Sequence, residues 1–320
     1  MRNFGAMVKV LLIDSNHDIL HETLQSAGFH CDLYWNKPAD ELKRILPEYD
    51  AIVLRSKFKI TKEIIDSTVK LKCIGRAGAG MENIDVAYAE SKGIKCVSAP
   101  EGNRDALGEH ALGMLLMLLN NLKRADQEVR NGIWRRAENR GFEICGKTVG
   151  IIGYGNMGSA FAQRLKGFDC KILAYDKYKK GFGNEYVTEC NLEQLFNECD
   201  ILSLHVPETE ETKFMIDAGF ISKFKKNIYI INTARGKCLN TVNLVAALES
   251  GKVPGACLDV LEYETVSFEN LDVSSLPAPM QYLIKSDKVI LSPHIAGWTH
   301  ESNYKISKIL AEKMVAVLKD

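Results

Sequence analysis

Short apolar runs alternate with longer amphipathic segments along almost the whole chain, and this alternation restricts the folds that the chain can adopt. In the N-terminal part, the apolar runs cover residues 8–14, 51–55, 72–76 and 95–97. Between them, segments such as residues 19–27 and 62–69 carry apolar side chains at helical spacing. Strands that are apolar on both faces occur in parallel sheets covered by helices on both sides, so we predict an α/β fold.

The alternation is interrupted once and then resumes, which predicts two domains. A long apolar helix over residues 105–121 breaks the pattern. Further strands are predicted at residues 147–153, 171–176, 200–205, 228–232, 256–260 and 288–292, with helices at 242–250, ending before a typical C-cap glycine, and at 301–318. The chain would pass from one domain to the other near Asp105 and return near Trp298. We therefore predict that residues 105–297 form one domain, inserted into another that is made of residues 1–104 and 298–320.

Composition excludes several classes of protein. The 320 residues suffice for two domains, and 41 basic residues balance 41 acidic ones, so no net field attracts nucleic acid or an anionic membrane. The longest apolar run, residues 111–119, is shorter than the ~20 residues that a membrane helix needs. The nine cysteines are dispersed and form no C-x-x-C pair, so we expect reduced thiols, a cytoplasmic location and no metal site.

A glycine-rich turn opens the predicted inserted domain. Gly153, Gly155 and Gly158 directly follow an apolar strand and precede a helical stretch at residues 159–165. Gly153 permits a tight turn, Gly155 lets a pyrophosphate approach the backbone, and Gly158 allows close helix–strand packing. Asp176 ends the next strand, 18 residues beyond Gly158, where a carboxylate binds ribose hydroxyls and repels a 2′-phosphate. The pattern predicts a dinucleotide site that prefers NAD to NADP.

Three chemically capable side chains follow three later strands. Arg235 follows the strand at 228–232, Glu264 follows the one at 256–260, and His294 follows the one at 288–292. A guanidinium fits a carboxylate in bidentate fashion, and histidine can pass a proton to a developing alkoxide. A carboxylate beside the histidine would stabilise its imidazolium form. These are the groups that hydride transfer to a 2-keto acid requires, although the residues alone leave Glu262 as an alternative to Glu264.

Six segments together resemble the D-isomer-specific 2-hydroxyacid dehydrogenase family, in the family's order. They are GRAGAGMENIDV, GKTVGIIGYGNMG, LSLHVP, INTARG, CLDVLEYE and SPHIAG. The resemblance extends over nearly the whole chain. It implies two doubly wound parallel-sheet domains, a Rossmann cofactor domain inserted into a flavodoxin-like substrate domain, in an oxidoreductase that is usually a homodimer.

The resemblance also implies roles for individual residues. Arg235 would bind the substrate carboxylate and carbonyl, His294 would act as acid and base, and Glu264 would be its partner, with the spacing from Asp259 favouring Glu264 over Glu262. Cofactor contacts are implied for Ala79, Asn156, Met157, Asp176, Val206, Thr233, Ala234, Asp259, Ala296 and Gly297, and we expect His205 and Pro207 to shape the wall of the same cleft.

Within the family, two segments are similar to those of D-3-phosphoglycerate dehydrogenases. They give Arg55, Ser56, Arg76, Gly78 and Ala79 as expected substrate-binding residues, with the two arginines facing a phosphate. A reductase of glyoxylate, hydroxypyruvate or pyruvate would share the same catalytic groups, and so would an NAD-sensing protein similar to the C-terminal-binding-protein corepressors.

The chain departs from the family's usual pattern in three places. Thr265 replaces proline after Glu264, the stretch at residues 265–287 is long, and Trp298 replaces a small residue. We expect no C-terminal regulatory domain.

Overall fold

The computed structural model describes residues 7–35, 39–264 and 275–319. The strands are β1 (Lys9–Leu12), β2 (His30–Leu33), β3 (Ala51–Leu54), β4 (Cys73–Arg76), β5 (Lys95–Ser98), β6 (Thr148–Ile152), β7 (Lys171–Tyr175), β8 (Thr188–Glu189), β9 (Ile201–Leu204), β10 (Tyr229–Asn232), β11 (Ala256–Leu258) and β12 (Val289–Leu291). The helices are α1 (Asp18–Ser26), α2 (Ala39–Ile45), α3 (Lys62–Asp66), α4 (Val86–Ser91), α5 (Arg104–Leu119), α6 (Leu122–Arg130), α7 (Asn156–Leu165), α8 (Leu192–Glu198), α9 (Ala218–Ser222), α10 (Thr241–Glu249), α11 (Ala278–Lys285) and α12 (His300–Lys319).

The chain divides into two compact units, one made of residues 1–103 and 298–320 and the other of residues 104–297. The first contains a parallel five-stranded sheet in the order β2-β1-β3-β4-β5. The second contains a parallel seven-stranded sheet in the order β12-β11-β10-β9-β6-β7-β8. The five-stranded sheet has the flavodoxin-like strand order, and the seven-stranded sheet has the Rossmann strand order with β12 added at one edge. The predicted α/β fold with two doubly wound sheets is confirmed.

Both faces of the second sheet are covered by packed apolar side chains. All five residues of β6 and all four of β9 are buried. Ile151 belongs to the apolar cluster on one face and Ile152 to the cluster on the other, as the alternation of side chains along a strand requires. The carboxyl ends of these strands are therefore the open positions where a ligand can be bound.

Helix α12 returns the chain to the first unit and packs closely on it. A Cβ added at Gly75 would lie 2.5 Å from Sδ of Met314, and one added at Gly102 would lie 2.5 Å from the backbone nitrogen of Ile306. The backbone N–H of His17 also donates to Oγ of Ser307 at 3.2 Å. The two glycines thus permit a contact between helix and unit that larger residues would block.

Several elements were absent from the sequence prediction, above all the edge strands β2 and β8 and the helix α6. The stretch at residues 265–287, expected as a long loop, contains helix α11, while residues 265–274 lie outside the described part of the chain. All nine cysteines are free thiols. Within the described ranges, the helices include none that is long and apolar enough to cross a membrane, and no cluster of side chains is suited to a metal ion.

Candidate active site

The glycine turn joins β6 to α7 with three glycines in three different environments. Gly153 has a φ of +92°, and a Cβ there would lie 2.5 Å from the carbonyl oxygen of His205. A Cβ at Gly158 would lie 2.0 Å from the carbonyl oxygen of Gly153, so helix and strand touch at that point. At Gly155, by contrast, the described part of the chain places no atom within 4 Å of the added Cβ, apart from the two neighbouring residues. The first and last glycines pack the turn, and the middle one borders open space at the N-terminus of α7, where Asn156 and Met157 begin the helix.

Asp176 follows β7, and its carboxylate hydrogen-bonds both to the glycine turn and to the loop after β7. Its Oδ2 accepts from the backbone N–H of Tyr154 at 2.8 Å, and its Oδ1 accepts from the backbone N–H groups of Tyr178 and Lys179, both at 2.9 Å. Burial alone would raise the pKa of this carboxyl, but the backbone hydrogen bonds and the charge of Lys179 bring it below its usual value. A charged carboxylate therefore stands beside the glycine turn, at the position predicted to select the cofactor.

Two buried polar atoms at strand ends of the second unit's sheet lack partners among the described residues. They are Oγ1 of Thr233, after β10, and Nδ1 of His205, after β9. Burial lowers the pKa of His205 to about 3, and its Nε2 lies 2.8 Å from Oγ of the buried Ser203. Buried polar atoms of this kind can hydrogen-bond to a bound ligand. Together with the space at Gly155, they fit a dinucleotide, whose neighbours here would include Val206, Pro207 and Ala234.

The loop that carries Arg235 is braced by a buried asparagine that the sequence reasoning missed. The side-chain oxygen of Asn232 accepts from the N–H of Ala234 at 3.1 Å, and its Nδ2 donates to the carbonyl oxygen of Arg235 at 3.0 Å. Next in the chain, a Cβ at Gly236 would lie 2.1 Å from the carbonyl oxygen of Leu261. The loops after β10 and β11 therefore meet backbone to backbone, which requires glycine beside the arginine.

His294 and Glu264 form a side-chain pair. Nδ1 of His294 lies 3.2 Å from Oε1 of Glu264, and both side chains are partly buried. Glu262, the alternative that the residues left open, points elsewhere, since its Oε2 accepts from the N–H of Thr241 at 2.9 Å. His294 has a φ of 58°, a left-handed conformation that is uncommon outside glycine and is concentrated at functional sites.

Asp259 holds the loop of His294 in that conformation. Its side chain is 1% exposed, and it accepts from Oγ of Ser292 at 2.6 Å and from the N–H groups of Ile295 and Ala296, each at 2.9 Å. Nε2 of His110 completes the cluster at 3.0 Å from Oγ of Ser292. Burial alone would raise the pKa of Asp259, but these hydrogen bonds outweigh burial and lower it. The sequence reasoning missed the roles of His110 and Ser292, although Ser292 is the first residue of the SPHIAG segment.

The residues predicted to bind substrate in the first unit follow two neighbouring parallel strands. Arg55 and Ser56 come after β3, while Arg76, Gly78 and Ala79 end or follow β4. The end of the Arg76 side chain covers Gly78, where an added Cβ would lie 1.4 Å from Nη1. Gly78 has a φ of +153°, so glycine is needed there for conformation as well as for space.

Comparisons with known proteins agree with this geometry. Residues 112–296 match the family model for the NAD binding domain of D-isomer specific 2-hydroxyacid dehydrogenases. The chain is 35% identical over 314 residues to a D-3-phosphoglycerate dehydrogenase of Archaeoglobus fulgidus, covering 98% of this chain but 58% of that protein. It therefore spans little more than half the length of that relative.

Two further proteins match over most of their own length. A hydroxypyruvate reductase of Thermotoga maritima is 39% identical over 277 residues, covering 86% of this chain and 87% of that protein. The crystal structure of a D-lactate dehydrogenase from Aquifex aeolicus, solved with NAD and lactic acid, has a TM-score of 0.81 at 30% identity and covers 97% of this chain and 94% of that one.

Proposed function

Because the chain belongs to the D-isomer specific 2-hydroxyacid dehydrogenase family, we propose that it interconverts a D-2-hydroxy acid and its 2-keto acid with NAD as cofactor. The observation that carries this proposal is the pair formed by His294 and Glu264, 3.2 Å apart, on a loop fixed by the buried Asp259. A proton-transfer group with its own carboxylate thus lies in the same unit as the glycine turn and as Arg235.

In the proposed reaction each side chain has one task. The guanidinium of Arg235 binds the substrate carboxylate and orients the keto group. When bound, NADH supplies the hydride that reduces the carbonyl carbon. His294, whose Nδ1 faces Glu264, gives a proton from Nε2 to the carbonyl oxygen, so a hydroxyl forms and a neutral imidazole remains. Glu264 stabilises the imidazolium before transfer and fixes the plane of the ring. Oxidation of the hydroxy acid reverses these steps.

This proposal is tested by steady-state oxidation of NADH with a panel of 2-keto acids, using wild type and His294→Ala. We expect a loss of kcat of roughly a hundredfold or more, the usual size of a general acid–base contribution. Binding of NADH, followed by its fluorescence, should persist because the histidine acts on the substrate. A variant that retained wild-type turnover would contradict the proposal.

For the substrate, we propose 3-phosphohydroxypyruvate and D-3-phosphoglycerate. Support comes from Arg55 and Arg76, which lie at the carboxyl ends of two neighbouring strands of the first unit's sheet. The similarity to a D-3-phosphoglycerate dehydrogenase of Archaeoglobus fulgidus also supports this substrate. A guanidinium offers a phosphate charge-assisted hydrogen bonds of ~1.5–3 kcal/mol each. Arg76→Ala should therefore lower kcat/KM for 3-phosphohydroxypyruvate roughly ten- to a hundredfold.

The control for this test is hydroxypyruvate, which has no phosphate to lose. The kcat/KM for hydroxypyruvate should fall far less in Arg76→Ala. Arg76→Lys keeps the charge but loses the bidentate geometry of the guanidinium, so its kcat/KM for 3-phosphohydroxypyruvate should lie between those of wild type and the alanine variant. Equal losses on both substrates would favour the second candidate, a hydroxypyruvate reductase. The 39% identical relative of that name supports this alternative.

We further propose that the enzyme is a homodimer, through an arm formed by α6 and residues 131–143. None of the nine residues of α6 is buried, and the arm exposes Leu122, Val129, Trp134 and Phe142. The arm is nevertheless ordered by polar contacts, since Asn139 accepts from Arg124 at 2.9 Å and donates to Glu128 at 2.6 Å. A structured apolar surface of this kind is typical of an interface.

The nine free thiols support a location in the reducing cytoplasm.

Light scattering after size exclusion tests the dimer. Val129→Glu should shift the protein toward the monomer mass because it buries a charge in the proposed interface. Val242→Glu, at an equally exposed valine of α10, is the matched control and should leave the mass unchanged. A wild type of monomer mass would refute this part of the proposal.

A further inference from the structure

Trp298, which departs from the family's usual small residue, lies against Arg55. The guanidinium carbon of Arg55 is 4.4 Å from the centroid of the indole ring, within the range of a cation–π contact. Trp298 is 66% exposed, although its large apolar surface would favour burial. The two residues are far apart in sequence, so the fold itself brings them together.

The backbone of Arg55 is fixed on both sides. Its N–H donates to Oδ2 of Asp14 at 2.5 Å, and its carbonyl oxygen accepts from Nδ2 of Asn83 at 3.0 Å. The carboxylate of Asp14 thus binds the backbone of Arg55 and not its guanidinium. Burial lowers the pKa of Arg55 and the charge of Asp14 opposes this, and the group remains charged at neutral pH.

The backbone next to Trp298 is fixed as well, because Trp298 directly precedes Thr299, the N-cap of helix α12. The N–H of Ser302 donates to Oγ1 of Thr299 at 3.0 Å, and the N–H of Thr299 donates to Oγ of Ser302 at 2.9 Å, which forms a reciprocal cap. An apolar residue before such a cap often packs on the fourth helical residue, but that residue here is the polar Asn303. The indole ring covers Arg55 instead.

In the described ranges, residues 7–35, 39–264 and 275–319, no carboxylate or carbonyl oxygen accepts a hydrogen bond from the guanidinium N–H groups of Arg55. A cation–π contact uses the charge of a guanidinium and does not consume its N–H donors. Trp298 therefore lies against a charged, partly buried group whose N–H donors meet no such acceptor among the described residues.

We propose that Trp298 is a specificity-determining residue that positions Arg55 to bind a second anionic group on the 2-keto acid substrate. The inference rests on the proposed function, in which that group is the phosphate of 3-phosphohydroxypyruvate. Trp298 acts through Arg55 as a positioning residue. Its contribution should appear as a preference for substrates with two anionic groups over those with one.

Three variants of Trp298 separate positioning from mere bulk. Trp298→Ala should raise KM for 3-phosphohydroxypyruvate roughly three- to tenfold relative to KM for hydroxypyruvate, with a smaller change in kcat. Trp298→Phe keeps an aromatic face and should recover most of the preference. Trp298→Leu keeps apolar bulk without the face and should resemble alanine. Equal behaviour of the phenylalanine and leucine variants, or equal rises in KM for both substrates, would overturn the inference.

A binding measurement separates this inference from the proposed substrate. In the Trp35→Phe/Trp134→Phe background, Trp298 is the remaining tryptophan, so its fluorescence reports on its contact with Arg55. Titration with inorganic phosphate should change that fluorescence, and the change should be lost in the added Arg55→Ala variant. If phosphate binds in this way but wild type does not prefer the phosphorylated keto acid, the substrate proposal fails and the anion site stands. If Arg55→Ala leaves the phosphate response intact, or no response occurs, the inference fails.

Discussion

Oε1 of Glu264 lies 3.2 Å from Nδ1 of His294, although the two residues belong to loops after different strands. Their loops are joined by a second contact, because the N–H of His294 donates to the carbonyl oxygen of Asp259 at 2.8 Å. The order β12-β11-β10 places these loops side by side at the carboxyl edge of one parallel sheet. The pair is thus a direct consequence of the topology, and its chemistry can be tested residue by residue.

Glu264→Gln should displace the pH profile of keto-acid reduction. The amide can still hydrogen-bond to the ring, but it removes the charge that favours imidazolium, the form that donates the proton. Reduction should therefore lose activity at a lower pH than in wild type. The measurement is kcat/KM between pH 5 and 9. Glu262→Gln is the control and should retain the wild-type profile, and a profile of Glu264→Gln that matches wild type would exclude the assigned role.

Asp176→Asn should weaken the preference for NADH over NADPH. Asparagine loses the charge that repels a 2′-phosphate, and its single side-chain oxygen can still accept from the N–H groups of Tyr178 and Lys179, although the bond from the N–H of Tyr154 is lost. We expect the ratio of kcat/KM for NADH to that for NADPH to fall roughly tenfold or more, since charge-assisted hydrogen bonds contribute ~1.5–3 kcal/mol. Lys179→Ala leaves the carboxylate in place and should not lower the ratio. A wild type that used both cofactors equally would show that Asp176 does not select NADH.

The sequence revealed most of the architecture because the central strands are buried on both faces. Strands such as β9 contain only buried residues, and their apolar runs are visible without a structure. The edge strand β2 alternates polar and apolar residues over exposed and half-buried positions, and β8 has two residues, so neither produces such a run. Helix α6 has no buried residue and therefore no apolar face toward the core.

The site was predictable where a residue follows a strand end, and unpredictable where its role depends on distant contacts. Arg235 and His294 each lie within three residues of the end of a mostly buried strand. The residues alone could not decide between Glu262 and Glu264, because the turn after β11 sets which carboxylate faces the histidine. Two such contacts join segments that are far apart in sequence: His110 supports Asp259, and Trp298 lies against Arg55. No local pattern encodes such contacts.

Asp259→Asn should disorder the His294 loop and lower kcat. The carboxylate binds Ser292 and Ile295 through one oxygen and Ala296 through the other, so an amide must leave at least one of these donors without an acceptor. An unsatisfied buried group costs about 1–3 kcal/mol, and we expect kcat to fall roughly ten- to a hundredfold. Ser292→Ala, which leaves both backbone donors satisfied, should have a smaller effect. Wild-type kcat in Asp259→Asn would show that the loop does not need the carboxylate.

His205 should make the protein less stable as the pH falls, and His205→Gln should remove this dependence. Burial lowers the pKa of His205 to about 3 in the folded protein, whereas an unfolded histidine has a pKa of ~6.5. Between these values the unfolded chain binds a proton that the folded chain does not, so the free energy of unfolding decreases from about pH 6.5 downward. Between pH 7.5 and pH 5.0, the free energy of unfolding of wild type should fall by about 1–2 kcal/mol more than that of His205→Gln. This corresponds to an additional decrease of roughly 2–8 °C in Tm.

Calorimetry of both proteins at several pH values measures the difference. His300→Gln, at an exposed histidine, is the control, and its Tm should depend on pH as that of wild type does. Parallel slopes for wild type and His205→Gln would show that the ring is not held neutral by burial.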